Sequence, residues 1–245
     1  MPFDNSVWLR RFHPASENSV RLVCFPHAGG AASFYFPFSA ALAPSVEVLA
    51  VQYPGRQDRL AEEGVPDIGR LADGIFTELQ SLTDKPMVLF GHSMGAIIAF
   101  EVAHRLEQKA GISPRNVILS GRAEPSARPE QMFDITDEGL AAEIGAMAGT
   151  DPALLDHPEI RQMMFRVLRN DYMAIWRYRS SSDAVLDCPI TVFTGDRDSK
   201  VTVDEAESWR HRTNSEFGLQ VFPGGHFYLT DQKEAVVSAL IGSAA

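Results

Sequence analysis

Cysteine is scarce in this sequence, which has only Cys24 and Cys188 among its 245 residues. The two form no CxxC pair and cannot build a disulfide framework, which favours a reducing, cytoplasmic location. An HExxH motif and comparable clusters of metal-ligating residues are also missing, so the sequence predicts neither a metal nor a cofactor. Cys24 falls within a strand-like run, and we interpret it as a core residue, not a nucleophile.

Long apolar runs and an excess of basic residues are missing as well. No run of 18 apolar residues is present, so no membrane span is predicted. The first residues, MPFDNSVWLRRFHP, lack the apolar segment of a signal peptide. Lys and Arg number 22 against 32 Asp and Glu, and the net charge of −10 argues against nucleic-acid binding. The remaining composition, 45% hydrophobic and 22% charged, is that of a globular protein.

Short β-rich runs alternate with helix-like stretches along most of the chain. The runs are mostly bounded by Gly, Pro or charged residues, as is typical of buried strands in a parallel sheet. We therefore predict an α/β fold in which helices flank a mostly parallel, doubly wound sheet. The predicted strands are Val20–Phe25, Val46–Val51, Met87–Phe90, Val117–Leu119, Ile190–Thr194 and Leu219–Phe222, and the predicted helices are Phe34–Leu42, Ile68–Leu82, Ala96–Glu107, Val203–Arg212 and Lys233–Ile241.

One segment, residues 124–187, departs from this alternation because it contains no convincing strand. Thr136–Met147 and Glu159–Arg179 are helix-like, and Thr136 offers an N-cap that is followed by an acidic first turn. An all-helical insertion between two strands predicts a lid over one end of the sheet. We expect the lid to belong to a single domain spanning residues 1–245.

The strongest local signal is the pentapeptide Gly91-His92-Ser93-Met94-Gly95. It matches GxSxG between a predicted strand and a predicted helix, which is the context of a nucleophile elbow. Such a turn lifts the serine Oγ clear of the sheet and aims the helix N-terminus at the reacting carbonyl. We predict Ser93 to be a catalytic nucleophile; the alternative is a structural Gly/Ser turn.

A catalytic serine needs a base, and the base needs a carboxylate that orients it. His226 lies in the Gly-rich PGGHF segment after the last predicted strand, and we predict it to be the base; the alternative is a surface-loop histidine. Asp196 and Asp198 both lie between serine and histidine, as the hydrolase order requires. Asp198 is favoured because it lies further into its loop, whereas Asp196 could fix the loop or pair with Arg197.

The oxyanion of an acyl-transfer intermediate needs two N–H donors. The residue after the nucleophile, Met94, would supply one, and the loop after an early strand would supply the other. Pro26-His27-Ala28-Gly29-Gly30 is such a loop, with small residues that let the backbone approach a substrate, and Ala28 is our candidate. A phosphate-binding loop is the alternative, but no GK[ST] follows.

Five motifs together resemble a known family. PHAGG, YPGRQDR, GHSMG, TGDRD and GGHF occur in this order and at suitable spacings. The combination is similar to the type II thioesterases that accompany polyketide synthases and non-ribosomal peptide synthetases, and the similarity covers nearly the whole chain. This resemblance implies an α/β-hydrolase fold with Ser93, Asp198 and His226 as the triad and with Ala28 and Met94 as oxyanion donors.

The resemblance also implies a function and a partner. Such enzymes remove stalled or wrong acyl groups from the phosphopantetheine arm of acyl or peptidyl carrier proteins. We expect no nucleic-acid or membrane partner and a monomeric enzyme. A fatty acyl thioesterase, a carboxylesterase or acyltransferase, and a non-catalytic carrier-binding module are the alternatives. Candidate substrate contacts are His27, Gly29, Met163, Tyr172 and Phe227.

For some side chains of the insertion and of the YPGRQDR motif, the sequence leaves two possible roles open. Met163 and Tyr172 either line an acyl channel or pack the lid onto the sheet. The excess of arginine in the second predicted lid helix either meets an acidic carrier protein or forms a solvated face. Arg56 and Arg59 either contact the pantetheine phosphate or brace a loop.

Overall fold

Seven strands form one sheet in the computed structural model, which describes residues 6–126, 132–146, 156–181 and 184–244. Their spatial order is β1-β3-β2-β4-β5-β6-β7, and every pair is parallel except β1 with β3. The strands are β1 Leu9–Arg10, β2 Val20–Phe25, β3 Val46–Val51, β4 Met87–His92, β5 Asn116–Ser120, β6 Ile190–Gly195 and β7 Phe217–Phe222. The mostly parallel α/β sheet predicted from the sequence is therefore confirmed. The short antiparallel β1 was not predicted, because two residues carry no periodic signal.

Alternate side chains of the buried strands enter two separate cores. In β2, Val23 and Phe25 face one core, whereas Leu22 and Cys24 face the other. Every residue of β4 is buried, which explains why its first four residues, Met87 to Phe90, are all apolar. Cys24 is only 1% exposed, and burial raises the pKa of its thiol, so its surroundings are those of a core residue.

Helices cover both faces of the sheet. On one face α2 (Ile68–Leu79) packs against α3 (Met94–Ala110), and the buried residues of α2 include Leu71, Ile75 and Leu79. On the other face α1 (Phe36–Leu42) packs against α8 (Lys233–Ala244). The helices outside the insertion are α1 Phe36–Leu42, α2 Ile68–Leu79, α3 Met94–Ala110, α6 Val203–Glu207, α7 Tyr228–Asp231 and α8 Lys233–Ala244. Helix α3 begins at Met94, two residues earlier than predicted, directly after the serine.

Two further helices, α4 Asp137–Ala146 and α5 Pro158–Arg177, lie between β5 and β6. The side-chain Oγ of Thr136 accepts the Gly139 N–H at 3.3 Å, as an N-cap does. The end of the first predicted helix, Met147, lies outside the described residues. Helix α5 is amphipathic, and its buried face includes Phe165, Leu168 and Ile175.

The topology brings the candidate residues to one edge of the sheet. Strands β3 and β4 lie on opposite sides of β2, so the chain changes direction there and leaves a crevice at the carboxyl ends of β2 and β4. The PHAGG loop follows β2, and GHSMG spans the end of β4. The loops after β6 and β7 carry Asp198 and His226 to the same edge. Among the described residues, no helix has the length and apolarity to cross a membrane.

Candidate functional site

Ser93 lies in a backbone conformation that L-residues rarely adopt, with φ 56° and ψ −114°. Two glycines permit this turn. A Cβ on Gly91 would lie 2.1 Å from the Gly95 carbonyl oxygen, and a Cβ on Gly95 would lie 2.0 Å from the Phe25 carbonyl oxygen. The turn is therefore pressed against the end of β2. The Met94 N–H belongs to the first turn of α3, whose N–H groups have no partner within the helix.

The side chain of His226 is held by a carboxylate from the neighbouring loop. Its Nδ1 lies 2.9 Å from Oδ2 and 3.1 Å from Oδ1 of Asp198, whose Oδ1 also accepts the Lys200 N–H at 2.8 Å. The other acidic candidate, Asp196, instead accepts the Gly224 N–H at 2.7 Å and lies 3.7 Å from Arg197. The structure thus pairs His226 with Asp198, while Asp196 ties the two loops together.

The PHAGG loop is held at several backbone groups around Ala28. The Gly30 N–H donates to the His27 carbonyl at 2.9 Å, and the Gly29 N–H donates to Asp171 at 2.8 Å. The Tyr53 hydroxyl donates to the Pro26 carbonyl at 3.1 Å. Within the described parts of the chain, the Ala28 N–H has no hydrogen-bond acceptor. It remains available to a bound oxyanion.

Uncharged rings surround His226. The rings of His92 and Phe227 lie 5.0 and 5.3 Å from it, and His27 packs against Phe227 at 4.9 Å. Burial, together with the nearby His226 and Arg56, lowers the pKa of His27 to about 3. Burial also lowers the pKa of His92 well below its usual value. Both flanking histidines are therefore neutral at neutral pH, and both act as packing groups against the His226 loop.

A cavity of about 190 Å³ opens at this edge of the sheet. Ala28, Ser93 and His226 line one part of it, and Tyr172 of α5 lines another. Its wall also contains Glu143, which accepts hydrogen bonds from Lys200 Nζ at 2.6 Å and from the Tyr172 hydroxyl at 2.9 Å. The remaining lining residues are Gly121, Arg122, Ala123, Glu124, Pro125, Phe133, Ile175, Ser199 and Lys200.

The other candidate substrate contacts lie elsewhere. Met163 is on the outer face of α5, where it is 40% exposed, and it is not among the residues that line the cavity. Gly29 adopts φ 78°, and a Cβ there would lie 2.7 Å from Leu168 of α5, so it abuts that helix. His27 and Phe227 form the aromatic packing beside His226. Of the five, only Tyr172 lines the cavity.

Several residues at the site were missed by sequence reasoning. Glu143 and Lys200 carry no sequence signal, because both are ordinary surface residue types until the insertion folds over the loop after β6. Asp171 had a signal, since it falls at helical spacing between the buried Leu168 and Ile175. An acidic residue on an apolar helix face needs a partner. The Asp171 carboxylate has such a partner, because its Oδ1 pairs with Nη2 of Arg56 at 2.6 Å.

Comparison with known proteins places this geometry in a family. Residues 20–243 match the thioesterase domain family. The chain is 54% identical over 230 residues to the probable cadicidin biosynthesis thioesterase of Streptomyces griseus, covering 94% of this chain and 63% of that protein. It is 44% identical over 231 residues to thioesterase PikA5 of Streptomyces venezuelae, covering 94% and 82%. The chain therefore spans less than two thirds of the length of the cadicidin biosynthesis thioesterase.

A solved structure agrees with both comparisons. The type II thioesterase BorB from the borrelidin biosynthetic cluster superposes with a TM-score of 0.89 at 42% identity, covering 98% of each chain. The α/β-hydrolase fold and the family resemblance inferred from the five motifs are thereby confirmed. The chain belongs to the thioesterase domain family, a group of hydrolases that act on thioesters.

Proposed function

We propose that this protein is an editing thioesterase that removes aberrant or stalled acyl groups from the phosphopantetheine arm of carrier proteins in polyketide or non-ribosomal peptide biosynthesis. One observation carries the proposal. Ser93 and His226 line the same cavity, and Nδ1 of His226 lies 2.9 Å from Asp198. The relatives named above, a type II thioesterase among them, support the substrate class.

In the proposed reaction Ser93, Asp198 and His226 act as the triad. Asp198 accepts the Nδ1–H of His226 and so leaves Nε2 as the base that takes the Ser93 proton. The serine oxygen attacks the thioester carbonyl, and the N–H groups of Ala28 and Met94 stabilise the oxyanion. Protonated His226 then passes its proton to the pantetheine sulfur, which leaves as the thiol.

The second half of the reaction releases the acid. Water enters the cavity, loses a proton to His226 and attacks the acyl-Ser93 carbonyl. The tetrahedral intermediate collapses, and His226 returns the proton to the serine oxygen. Because the thiol is already a fair leaving group, the selection of the acyl arm is the harder part of the task.

Residues 124–187 would act as the lid in this proposal. Tyr172 comes from α5 and Glu143 from α4, and both line the cavity that contains Ser93. The insertion therefore shapes the space that the acyl group would occupy. The acyl or peptidyl carrier protein would dock outside the opening of this cavity, so that its phosphopantetheine arm reaches Ser93.

Hydrolysis of acyl-carrier proteins by the purified chain tests the proposal. Acetyl and longer acyl groups would be compared on carrier proteins, on free pantetheine and as matched oxoesters, with wild type and Ser93→Ala. We expect cleavage of carrier-bound thioesters that disappears in the variant. A strong preference for long chains would indicate a fatty acyl thioesterase, and cleavage of oxoesters alone would indicate a carboxylesterase. Turnover that survives in Ser93→Ala would refute the proposed nucleophile, and absence of any turnover would favour the carrier-binding module.

A further inference from the structure

Helix α5 reaches the PHAGG loop through one fully buried carboxylate. Asp171 is 0% exposed, and each of its oxygens has a separate partner. Oδ1 accepts from Nη2 of Arg56 at 2.6 Å, and Oδ2 accepts the Gly29 N–H at 2.8 Å. A single side chain of the insertion is therefore bonded both to the loop and to the arginine that stands beside it.

The arginine contacts the same loop one residue further on. Arg56 is 5% exposed, and its Nη1 donates to the Gly30 carbonyl at 2.7 Å. Its guanidinium lies 4.8 Å from the centre of the Tyr53 ring, whose hydroxyl holds the Pro26 carbonyl. The arginine is therefore fixed among groups that all bind the loop backbone. Of the two alternatives left by the sequence, these contacts are those of a loop brace.

These bonds determine the direction of the free N–H group. The Ala28 N–H shares its peptide plane with the His27 carbonyl, and that carbonyl accepts the Gly30 N–H at 2.9 Å. Because a peptide is planar and trans, its N–H points away from its carbonyl. Fixing Gly29 and Gly30 thus fixes the His27 carbonyl, and with it the direction of the Ala28 N–H.

A purely stabilising role accounts poorly for this arrangement. Burying an ion pair is often no more favourable than burying apolar side chains of similar volume. The face of α5 that carries Asp171 is otherwise apolar at Leu168, Ala174 and Ile175. For stability alone, an apolar pair at positions 56 and 171 would therefore serve as well. What an apolar residue cannot do is accept the Gly29 N–H and orient Arg56 at the same time.

We infer that Asp171 is a positioning residue which, with Arg56, aligns the Ala28 N–H for the oxyanion, so that the oxyanion hole is complete only while α5 is seated on the loop. The inference rests on the proposed function, in which Ala28 is an oxyanion donor. It makes the insertion part of the catalytic geometry as well as a cover for the cavity.

The test compares Asp171→Asn with a matched variant, Glu47→Gln. Asparagine keeps the shape of the side chain but has only one acceptor oxygen for the two donors. Glu47 is also a buried partner of an arginine, at 2.7 Å from Arg21, but it lies on β3 and pairs away from the loop. Both variants lose one buried charge, and only the first loses a contact to the loop.

Turnover of acyl-pantetheine would give kcat and KM. A separate inhibition assay would give the affinity for a boronic acid whose tetrahedral serine adduct occupies the oxyanion hole. Removing one oxyanion donor costs about 100- to 1000-fold in kcat, so misaligning one should cost about 10- to 100-fold. We expect that loss for Asp171→Asn, with KM within about threefold and boronate affinity reduced in parallel. Glu47→Gln should lower the melting temperature but keep kcat.

Arg56→Lys is the second variant and covers the case in which Asp171→Asn does not fold. Lysine keeps the charge opposite Asp171 but cannot form the same pair of bonds to Asp171 and Gly30. We expect a smaller loss of kcat in the same direction. Wild-type kcat and boronate affinity in either folded Asp171→Asn or Arg56→Lys would overturn the inference, as would an equal loss in Glu47→Gln. Failure of wild type to cleave thioesters would instead overturn the proposed function.

Discussion

Gly95→Ala should separate the two halves of the proposed oxyanion hole. The added Cβ would lie 2.0 Å from the Phe25 carbonyl oxygen and 2.7 Å from that of Pro26, and both contacts are with backbone. Real Cβ atoms essentially never come closer than 3.0 Å, so the turn and the end of β2 must move apart by about 1 Å. The Phe25 carbonyl also accepts the Tyr35 hydroxyl at 2.9 Å, which opposes the movement.

The displacement acts directly on the reacting groups. Ser93 and Met94 precede Gly95, and Ala28 follows Pro26, so the shift changes the distance from the proposed nucleophile to the proposed second donor. A misplacement of about 1 Å can reduce the rate about 100-fold, and overpacking costs about 1–3 kcal/mol of unfolding free energy. We expect both effects. They are measured by kcat/KM on acyl-pantetheine and by denaturant unfolding.

Gly218→Ala is the matched control for this prediction. Gly218 is also a sheet residue, but a Cβ there would lie 3.6 Å from the Thr191 side chain, which is an ordinary contact. Its kcat/KM should equal that of wild type. A folded Gly95→Ala with kcat/KM within about threefold of wild type would show that the close approach does not set the geometry of the site.

Two further predictions concern the acid of the proposed triad and a buried histidine. Asp198→Asn should reduce kcat/KM by about 10⁴-fold, because it reverses the tautomer of His226. Asp196→Asn keeps an oxygen that can accept the Gly224 N–H and loses only the charge beside Arg197, so it should cost far less. Equal losses would refute the choice of acid. Burial lowers the pKa of His92 in the folded state, so below about pH 6.5 the unfolded state binds more protons than the folded state. The free energy of unfolding should therefore fall by up to about 1.4 kcal/mol per pH unit as the pH drops below that value. Urea unfolding at pH 7.5 and 5.5 should show a smaller difference for His92→Gln than for wild type, and an unchanged difference would contradict this assignment.

Much of the sheet was predictable because burial on both faces makes a parallel strand apolar along its whole length. The bounds predicted for β2 and β3, Val20–Phe25 and Val46–Val51, are the bounds that the structure shows. Strand β4 runs two residues beyond its predicted end, because Gly91 and His92 continue the ladder with β5. Glycine and histidine are read as turn residues in sequence, and only the partner strand keeps them extended.

The site was predictable where a motif fixes the backbone and was unpredictable where it depends on distant contacts. GHSMG locates Ser93 because the glycines are required by contacts within the turn and with β2. Asp198 could only be favoured over Asp196, because loop direction decides which carboxylate meets His226. Asp171 contacts Gly29 across 142 positions of the chain, and no local pattern encodes such a contact.

The helical insertion also bears on attempts to exchange substrate range between relatives. It leaves the sheet after β5 and returns at the adjacent parallel β6, so a foreign insertion could be joined at these two strands without changing the register of either. Arg56, however, stays behind in the recipient as a buried cation. A transplanted segment without a carboxylate at the place of Asp171 would leave that cation uncompensated, at a cost of about 3–5 kcal/mol. Chimeras should therefore be chosen by this one acidic position before the residues that line the cavity are considered.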